Sequence, residues 1–534
     1  MIATKNRVRS LVFYAGMIFC GTLVTWGAFR GRLPLVFATD LPSRRLRMGT
    51  SGSLAAGAGA SVPLGVLLRL LASPSADALN SAGFEAFPPT NCQLRDASLF
   101  AQRGLGTAAN PWTGWEDAVS SAPAGTWVAL PAGYYTVSKQ IQIPDGVRVS
   151  GAGVGKTVLR LMAHAAWIEN GGTHSVMTNA GGAKEITIEG FTLDGNRANL
   201  TGAAPNNWSG AVWARNVDLR GVSNLVVRNL ETMGATAEGL FIGDVTSAEV
   251  YDVVAHDNAT VGMSFGAGSP QVLPVNRSVF ANLTSYDNQS LGNTGYDGFF
   301  IDHAFDCTFS DLVAYGTRTA MQGPLFEGFS GIKVVASERN VFTRITAFQN
   351  QWQGLHLAAS TSNTFTDATL RGNNFTNFSG AGNGLLIVGR STYNRFVGMR
   401  IEENLDGVFI FDDGNDFNSF FGNIITGQNG RGFGRGVRLR GQHNLFVGNV
   451  IKGNGSDGVT LDVAGAGHNR FLANQIVGNQ GYAWNGGGFL PVIISVGNDV
   501  SGNAAGTAQG VVIISTEAVK RFPPITAPGV VTPR

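Results

Sequence analysis

The chain has 534 residues, of which 44% are hydrophobic and only 14% charged, with 73 Gly, 33 Phe and a formal net charge of +2. So small a charge, with no basic stripe carrying interleaved aromatics, argues against nucleic acid or an acidic membrane surface as partner. High glycine and low charge suit a turn-rich β protein, and length sets no domain count when a structure can grow by repetition along one axis.

Residues 1–78 read as an export segment. Leu11 to Phe29 is an uncharged apolar run behind Lys5, Arg7 and Arg9, long enough to cross a bilayer and so to anchor the chain if it is retained. Ser43-Arg44-Arg45-Leu46-Arg47 then precedes an apolar, Gly/Ala-rich stretch ending in Ala76-Asp77-Ala78. That pattern resembles a twin-arginine signal, although the usual Phe after the arginines is missing. Both segments predict a secreted, periplasmic or cell-surface body. Residues 79–111 read as a linker. Of the three cysteines, Cys20 lies in the first apolar run, leaving Cys92 and Cys307 either as a disulfide or as two buried thiols.

From Trp112 the chain reads as strands. Gly114 to Arg160 contains GWEDAVSS, LPAGYY, IQIPDGV and a Gly-rich turn. These elements resemble the entry segment of the pectate-lyase-like superfamily, which implies a right-handed parallel β-helix closed by an N-terminal capping helix. A cap is also required physically, because the first coil of a solenoid exposes an apolar end and unpaired strand edges. Glu185 to Asn196 and Asn224 to Met233 continue with the period of a half-buried strand. The long loops 196–209 and 266–276 predict walls beside a groove.

Six copies of one unit follow. They open at Gly331, Gly354, Gly384, Gly407, Gly436 and Gly458, and are answered by Asn340, Asn363, Asn394, Asn418, Asn444 and Asn469, each two residues before a Phe. A unit of this length cannot bury its own apolar face, so copies must stack as coils over 112–510, with 511–534 as a loose tail. The Asn residues are expected to take the left-handed turn conformation and to bond along a ladder, and the Phe residues to stack in the core.

Alternation fixes the register. Phe299 and Ile301 match Ile332 and Val334, then Leu355 and Leu357, as inward pairs, so the residues between them face out. One outward line reads Phe300, Lys333, His356, Leu386, Phe409, Arg438; the next reads Asp302, Val335, Ala358. Asp302, Lys333 and His356 thus fall on three consecutive coils beside aromatic Phe300, with His303 and Arg318 able to extend the patch. An acid, a permanent cation and an imidazole on rigid strands suit proton transfer beside a carboxylate. The bland alternative is a solvated face with an ordinary Asp302–Lys333 ion pair.

The segments FTLDGNR at Phe191, VVAHDN at Val253, YDGFFIDH at Tyr296 and LVAYGT at Leu312 resemble the catalytic module of mannuronan C5-epimerases and related lyases. The resemblance implies a catalytic-site role for Asp302 and, offset by one position, for Arg318. It also implies an Asp-Pro-His-Glu motif near 239–244, where this chain reads GLFIGD instead. Asn404, Asp406, Asp412 and Asp413 are similar in type to a polygalacturonase set, but too close together to occupy equivalent places on successive coils. Asp412, Asp413 and Asp416 read as loop residues, with a weak Ca²⁺ site as their functional alternative.

The expectation is a monomeric, exported β-helix acting on an acidic polysaccharide at C5 of a uronic acid, by β-elimination or epimerisation. Asp302, Lys333, His356, His303 and Arg318 are its catalytic candidates; Phe300, Phe409 and Arg438 are its substrate-binding candidates. No resident metal or cofactor is called for beyond that Ca²⁺ alternative. A non-catalytic carbohydrate-binding or surface-structural β-helix and a glycoside hydrolase of the same fold are the competing readings.

Overall fold

The structure, a computed structural model, describes residues 93–96, 104–169, 173–200, 213–268, 271–290, 297–319, 329–373, 382–429, 434–463 and 465–515. The chain divides into Met1–Ala86 and Phe87–Arg534. The first unit, with both N-terminal signal readings, lies outside the described residues, as does Cys92. Among the described residues no helix is long and apolar enough to cross a membrane.

The body is a parallel β-helix. One wall is a 14-stranded sheet running from Ile141–Ile143 to Gly506–Gln509. A 24-stranded sheet supplies most of the remaining circumference, a short three-stranded sheet (Val245–Thr246, Val275–Asn276, Ala304–Phe305) lies between them in the chain, and every strand pairing in these sheets is parallel. The larger sheet turns a corner. Its eight-residue strands Val226–Met233, Glu249–His256, Val279–Tyr286 and Thr308–Tyr315 each hold one left-handed residue at the bend: Asn229, Asp252, Asn282 and Asp311, with φ of 47 to 56°. Asn and Asp tolerate that conformation best. Downstream the same bend splits the strand in two, as in Val341–Thr343 and Thr346–Phe348 on either side of Arg344.

Pairing reaches beyond the expected 112–510 at both ends. Gln93–Asp96 pairs with Thr126–Leu130, and Val512–Ile514 pairs with Val492–Val496. The cap is a single turn, Asp117–Ser120, which places Ala118 and Val119 in the core beside Trp115.

Inside, Phe280, Phe309, Phe342, Phe365, Phe396, Phe420, Phe446 and Phe471 form one column, with ring centroids 4.5–5.2 Å apart. All are at most 1% exposed, so each contributes roughly 1.5–3 kcal/mol of burial. The Asn ladder is present, but its geometry differs from expectation. The left-handed residue is the one before each Asn: Arg339, Ser362, Tyr393, Phe417, His443 and His468. The Asn itself points inward, where its Oδ1 accepts the backbone N–H of the preceding coil's Asn, as from Asn340 to Asn363 at 3.0 Å and from Asn363 to Asn394 at 3.0 Å. Buried backbone donors need partners, and the carboxamide serves this one better than it would serve its own turn.

The glycine heading each repeat is required by the same stacking. A Cβ on Gly384 would come within 2.8 Å of Gly407 O and 2.9 Å of Asn404 Nδ2. Cys307 is a buried free thiol, its pKa pushed up to about 11 by burial.

Candidate functional site

The register read from alternation is the one observed on the 14-stranded wall. Phe300 pairs with Lys333, Lys333 with His356, His356 with Leu386, Leu386 with Phe409, and Phe409 with Arg438. Inward neighbours such as Phe299, Ile301, Ile332 and Val334 are fully buried. Asp302 stands opposite Val335, one outward position along from the Phe300 line. Strand geometry puts its Cα roughly 8 Å from that of Lys333.

The patch is assembled differently from an Asp302–Lys333 ion pair. Asp302 Oδ1 lies 2.6 Å from His303 Nδ1, and both belong to the same chain turn, where His303 takes φ of 54°. That positive φ breaks the alternation and brings the imidazole back onto the carboxylate. A carboxylate on Nδ1 fixes the proton there and leaves Nε2 as the free base. The Asp302 side chain is 8% exposed and that of His303 25% exposed. Gly268 lies against the dyad. A Cβ there would stand 2.7 Å from His303 Cε1 and 3.0 Å from Asp302 Oδ2, so any larger residue must displace these side chains.

Lys333 forms no ion pair among the described residues; its ammonium stands 5.9 Å from the centre of the Phe300 ring. Within reach of its charge lies Asp297, which sequence reasoning missed. Asp297 is 3% exposed, and its Oδ1 accepts the Ser330 N–H at 2.9 Å. Burial raises its pKa, against the pull of the Lys333 charge. The signal was the Asp-Gly pair that heads the strand, repeated at Asp406-Gly407 and Asp457-Gly458. At those places too the carboxylate accepts an N–H from the next coil: Arg435 N at 2.8 Å and Tyr482 N at 2.8 Å.

His356 is 7% exposed, and its Nε2 is buried without a hydrogen-bond partner. Burial, with the Lys333 charge added, drives its pKa down to about 3. It is therefore a neutral imidazole at ordinary pH, suited to hydrogen bonding and too weakly basic to collect a proton.

Two further candidates are placed elsewhere or changed in character. Arg318 lies in a two-stranded sheet, Gln289–Ser290 with Arg318–Thr319, and pairs with Asp287 at 3.4 Å. Among the described residues no hydrogen bond or ion pair joins it to Asp302, Lys333 or His356. Phe409 faces outward but is 5% exposed, its ring capped by the Arg438 guanidinium at 4.2 Å. A ligand there meets Arg438 and Arg440, both held by Asp462, rather than the aromatic face.

The Asp412 and Asp416 carboxylates accept the Gly389 and Gln442 N–H groups at 2.9 and 2.6 Å, and Asn404 and Asp406 are buried in coil-to-coil bonds. They serve as turn and ladder residues. Among the described residues no group of three or more His, Cys, Asp or Glu could hold a metal ion.

No family model matches the chain. Over 217 residues it is 29% identical to mannuronan C5-epimerase AlgE2 of Azotobacter vinelandii, a match covering 38% of this chain and 20% of AlgE2. It is 28% identical over 207 residues to AlgE4 of the same organism, covering 37% of this chain and 30% of AlgE4. The chain thus spans less than a third of either relative. Its fold is similar to that of the A-module of AlgE6 from that organism, with a TM-score of 0.50 and 18% identity over 78% of this chain and 99% of the module. The chain is therefore a right-handed parallel β-helix protein with partial sequence similarity to the mannuronan C5-epimerases.

Proposed function

We propose that the protein is exported and acts on an acidic polysaccharide laid along the outer face of the 14-stranded wall, at C5 of a uronic acid residue. One observation carries the reading: an imidazole oriented by a carboxylate, His303 on Asp302 at 2.6 Å, shares that wall with Lys333, which forms no ion pair among the described residues. The similarity to mannuronan C5-epimerases over a third of the chain supports the substrate class.

Lys333 neutralises the sugar carboxylate and so acidifies the adjacent C5–H. His303 Nε2 takes that proton while Asp302 holds the Nδ1–H and stabilises the imidazolium. The neutral His356 hydrogen-bonds the carboxylate beside Lys333. Electron density from the broken C–H bond delocalises into the carboxylate. Delivery of a proton from solvent water to the opposite face of C5 gives the epimer, whereas expulsion of the C4 oxygen, protonated by water as it leaves, gives an unsaturated sugar; in either case His303 then releases its proton to solvent.

Binding without turnover is the second reading. It is favoured by the cationic rim at Arg438 and Arg440 and by GLFIGD at 239–244, which lacks the epimerase motif.

Purified full-length protein is incubated with poly-mannuronate, pectate and a neutral glycan. Ultraviolet absorbance reads unsaturated ends, proton NMR reads inverted C5 centres, and reducing-end release without absorbance reads hydrolysis. The expected result is turnover of an acidic glycan that falls on the order of 10²-fold or more in His303→Ala and weakens in KM in Lys333→Ala. Undiminished turnover in both variants refutes the site, and binding with no turnover of any glycan establishes the second reading.

A further inference from the structure

A cavity of about 290 Å³ opens on the other sheet, near the start of the solenoid, lined by Trp127, Arg148, Ser150, Glu189 and Arg228 over glycine backbone. Four successive coils build it. Trp127 pairs with Arg148, while Ser150, Glu189 and Arg228 follow one another in a single outward line. Its floor depends on two glycines in contact: a Cβ on Gly151 would lie 2.2 Å from Gly190 O.

The side chains are pre-set. Glu189 takes both guanidiniums, Arg148 Nε on Oε1 at 2.5 Å and Arg228 Nε on Oε2. Arg228 also donates to the Tyr251 hydroxyl at 2.7 Å. Arg148 lies 4.6 Å over the Trp127 ring, whose Nε1–H donates to Ser150 Oγ. The Arg148, Glu189 and Arg228 side chains are 20%, 11% and 28% exposed. Stacking alone has no need of this cluster, since the same outward line continues as Tyr251, Ala281, Ser310, Thr343 and Thr366.

Two guanidiniums share one carboxylate, so the lining holds one uncompensated positive charge in a concave, partly desolvated place, next to an indole. Such a site favours an anion with planar oxygens carried on a ring with an apolar face. We propose that this cavity binds one carboxylate-bearing sugar residue, Arg148 and Arg228 taking the carboxylate and Trp127 packing against the sugar ring. The site is separate from the Phe300–His356 wall and stands whether or not that wall performs chemistry.

The test is calorimetric titration of the full chain and of its Lys333→Ala variant with a glucuronate-containing disaccharide, beside cellobiose and inorganic sulfate. The Lys333→Ala variant, which lacks the carboxylate contact of the 14-stranded wall, is expected to retain binding of the acidic disaccharide, and the cavity variants are read in that background. Loss of a charged hydrogen-bond partner in Arg228→Gln and of the indole in Trp127→Ala should each weaken binding at least about tenfold. Trp127→Tyr should stay within about threefold. Thermal unfolding of each variant accompanies the titrations. Should Arg228→Gln unfold, saturation-transfer NMR on Lys333→Ala and on its Trp127→Ala derivative replaces it: ring-proton contacts present in the first and absent from the second support the site. Loss of binding in Lys333→Ala, no effect of Trp127→Ala, equal binding of cellobiose, or sulfate binding as tightly as the disaccharide each overturns the proposal.

Discussion

Replacing Asn363 by alanine tests the amide ladder at its centre. Asn363 is fully buried and uses all of its carboxamide. Its Oδ1 accepts from Asn340 N and Asn340 Nδ2, each at 3.0 Å; its Nδ2 donates to Ser337 O at 2.9 Å and Asn394 Oδ1 at 3.1 Å. Some partners have substitutes. Ser337 O also receives Thr361 N, and Asn394 Oδ1 keeps the Asn363 backbone N–H. Asn340 N has no second acceptor, so truncation leaves one buried donor orphaned, costing about 1–3 kcal/mol. The other lost bonds add about 0.5–1.5 kcal/mol each, and a loss of about 3–5 kcal/mol is expected in all.

Asn363→Asp should be at least as damaging near neutral pH, because a carboxylate has no donor to offer Ser337 O or Asn394 Oδ1. Acidification should partly rescue it by restoring an O–H. A long stack of coils need not unfold in one step, so denaturant midpoints are read together with hydrogen exchange at the Asn340 amide. A loss below about 1 kcal/mol, with protection at Asn340 unchanged, refutes the assignment of the ladder as a main source of coil-to-coil cohesion.

Gly268→Ala places a methyl against His303 and Asp302 without touching the core. Turnover, or glycan affinity, should fall while the unfolding midpoint stays close to that of the parent; a matching loss of both means that the loop serves the fold instead. Imidazole NMR should find His356 neutral from pH 8 down to pH 4, since its pKa lies at about 3; an imidazolium signal at pH 6 contradicts the enclosure described. His256 behaves oppositely. Burial lowers its pKa, but hydrogen bonds and charges from Glu231 and Asp257 outweigh burial and hold it above its ordinary 6.5, while Glu231 is held below 4.5 chiefly by the His256 hydrogen bond. The stability from His256 is complete below 6.5 and lost as pH rises through its raised value. That from Glu231 is complete above 4.5 and lost as pH falls through its depressed value. The stability difference between the parent and His256→Gln should thus be greatest between pH 4.5 and 6.5 and shrink on both sides, and a flat difference refutes the coupling.

The wall was legible because a strand has a period of two: once Phe299 and Ile301 are inward, Phe300, Lys333 and His356 must line up, and they do. The Asn and Phe columns were legible as types, since identical residues at a fixed repeat must stack. Conformation was harder. Nothing in Tyr393-Asn394 or His443-Asn444 says which residue takes the left-handed φ, because Asn is the better guess until its side chain is needed inside. The Asp302–His303 contact depends on one dihedral and on a loop glycine 35 positions upstream, neither visible in strand alternation. The local pairing of Arg318 was not visible for the same reason. It follows a strand, and what a chain does after a strand is decided by the neighbour it finds, here Gln289–Ser290.

The asparagines of the ladder also share one orientation. Their oxygen looks toward the preceding coil, as from Asn350 to Asn373, Asn423 to Asn449 and Asn454 to Asn479. Bond dipoles aligned in this way add along the axis, as peptide dipoles do in a helix. The ladder thus has a direction, its carboxamide oxygens all facing the N-terminal side of the stack. A coil inserted in the reverse sense would present oxygen to oxygen along this line, so the choice of asparagine also fixes the sense in which coils can be added.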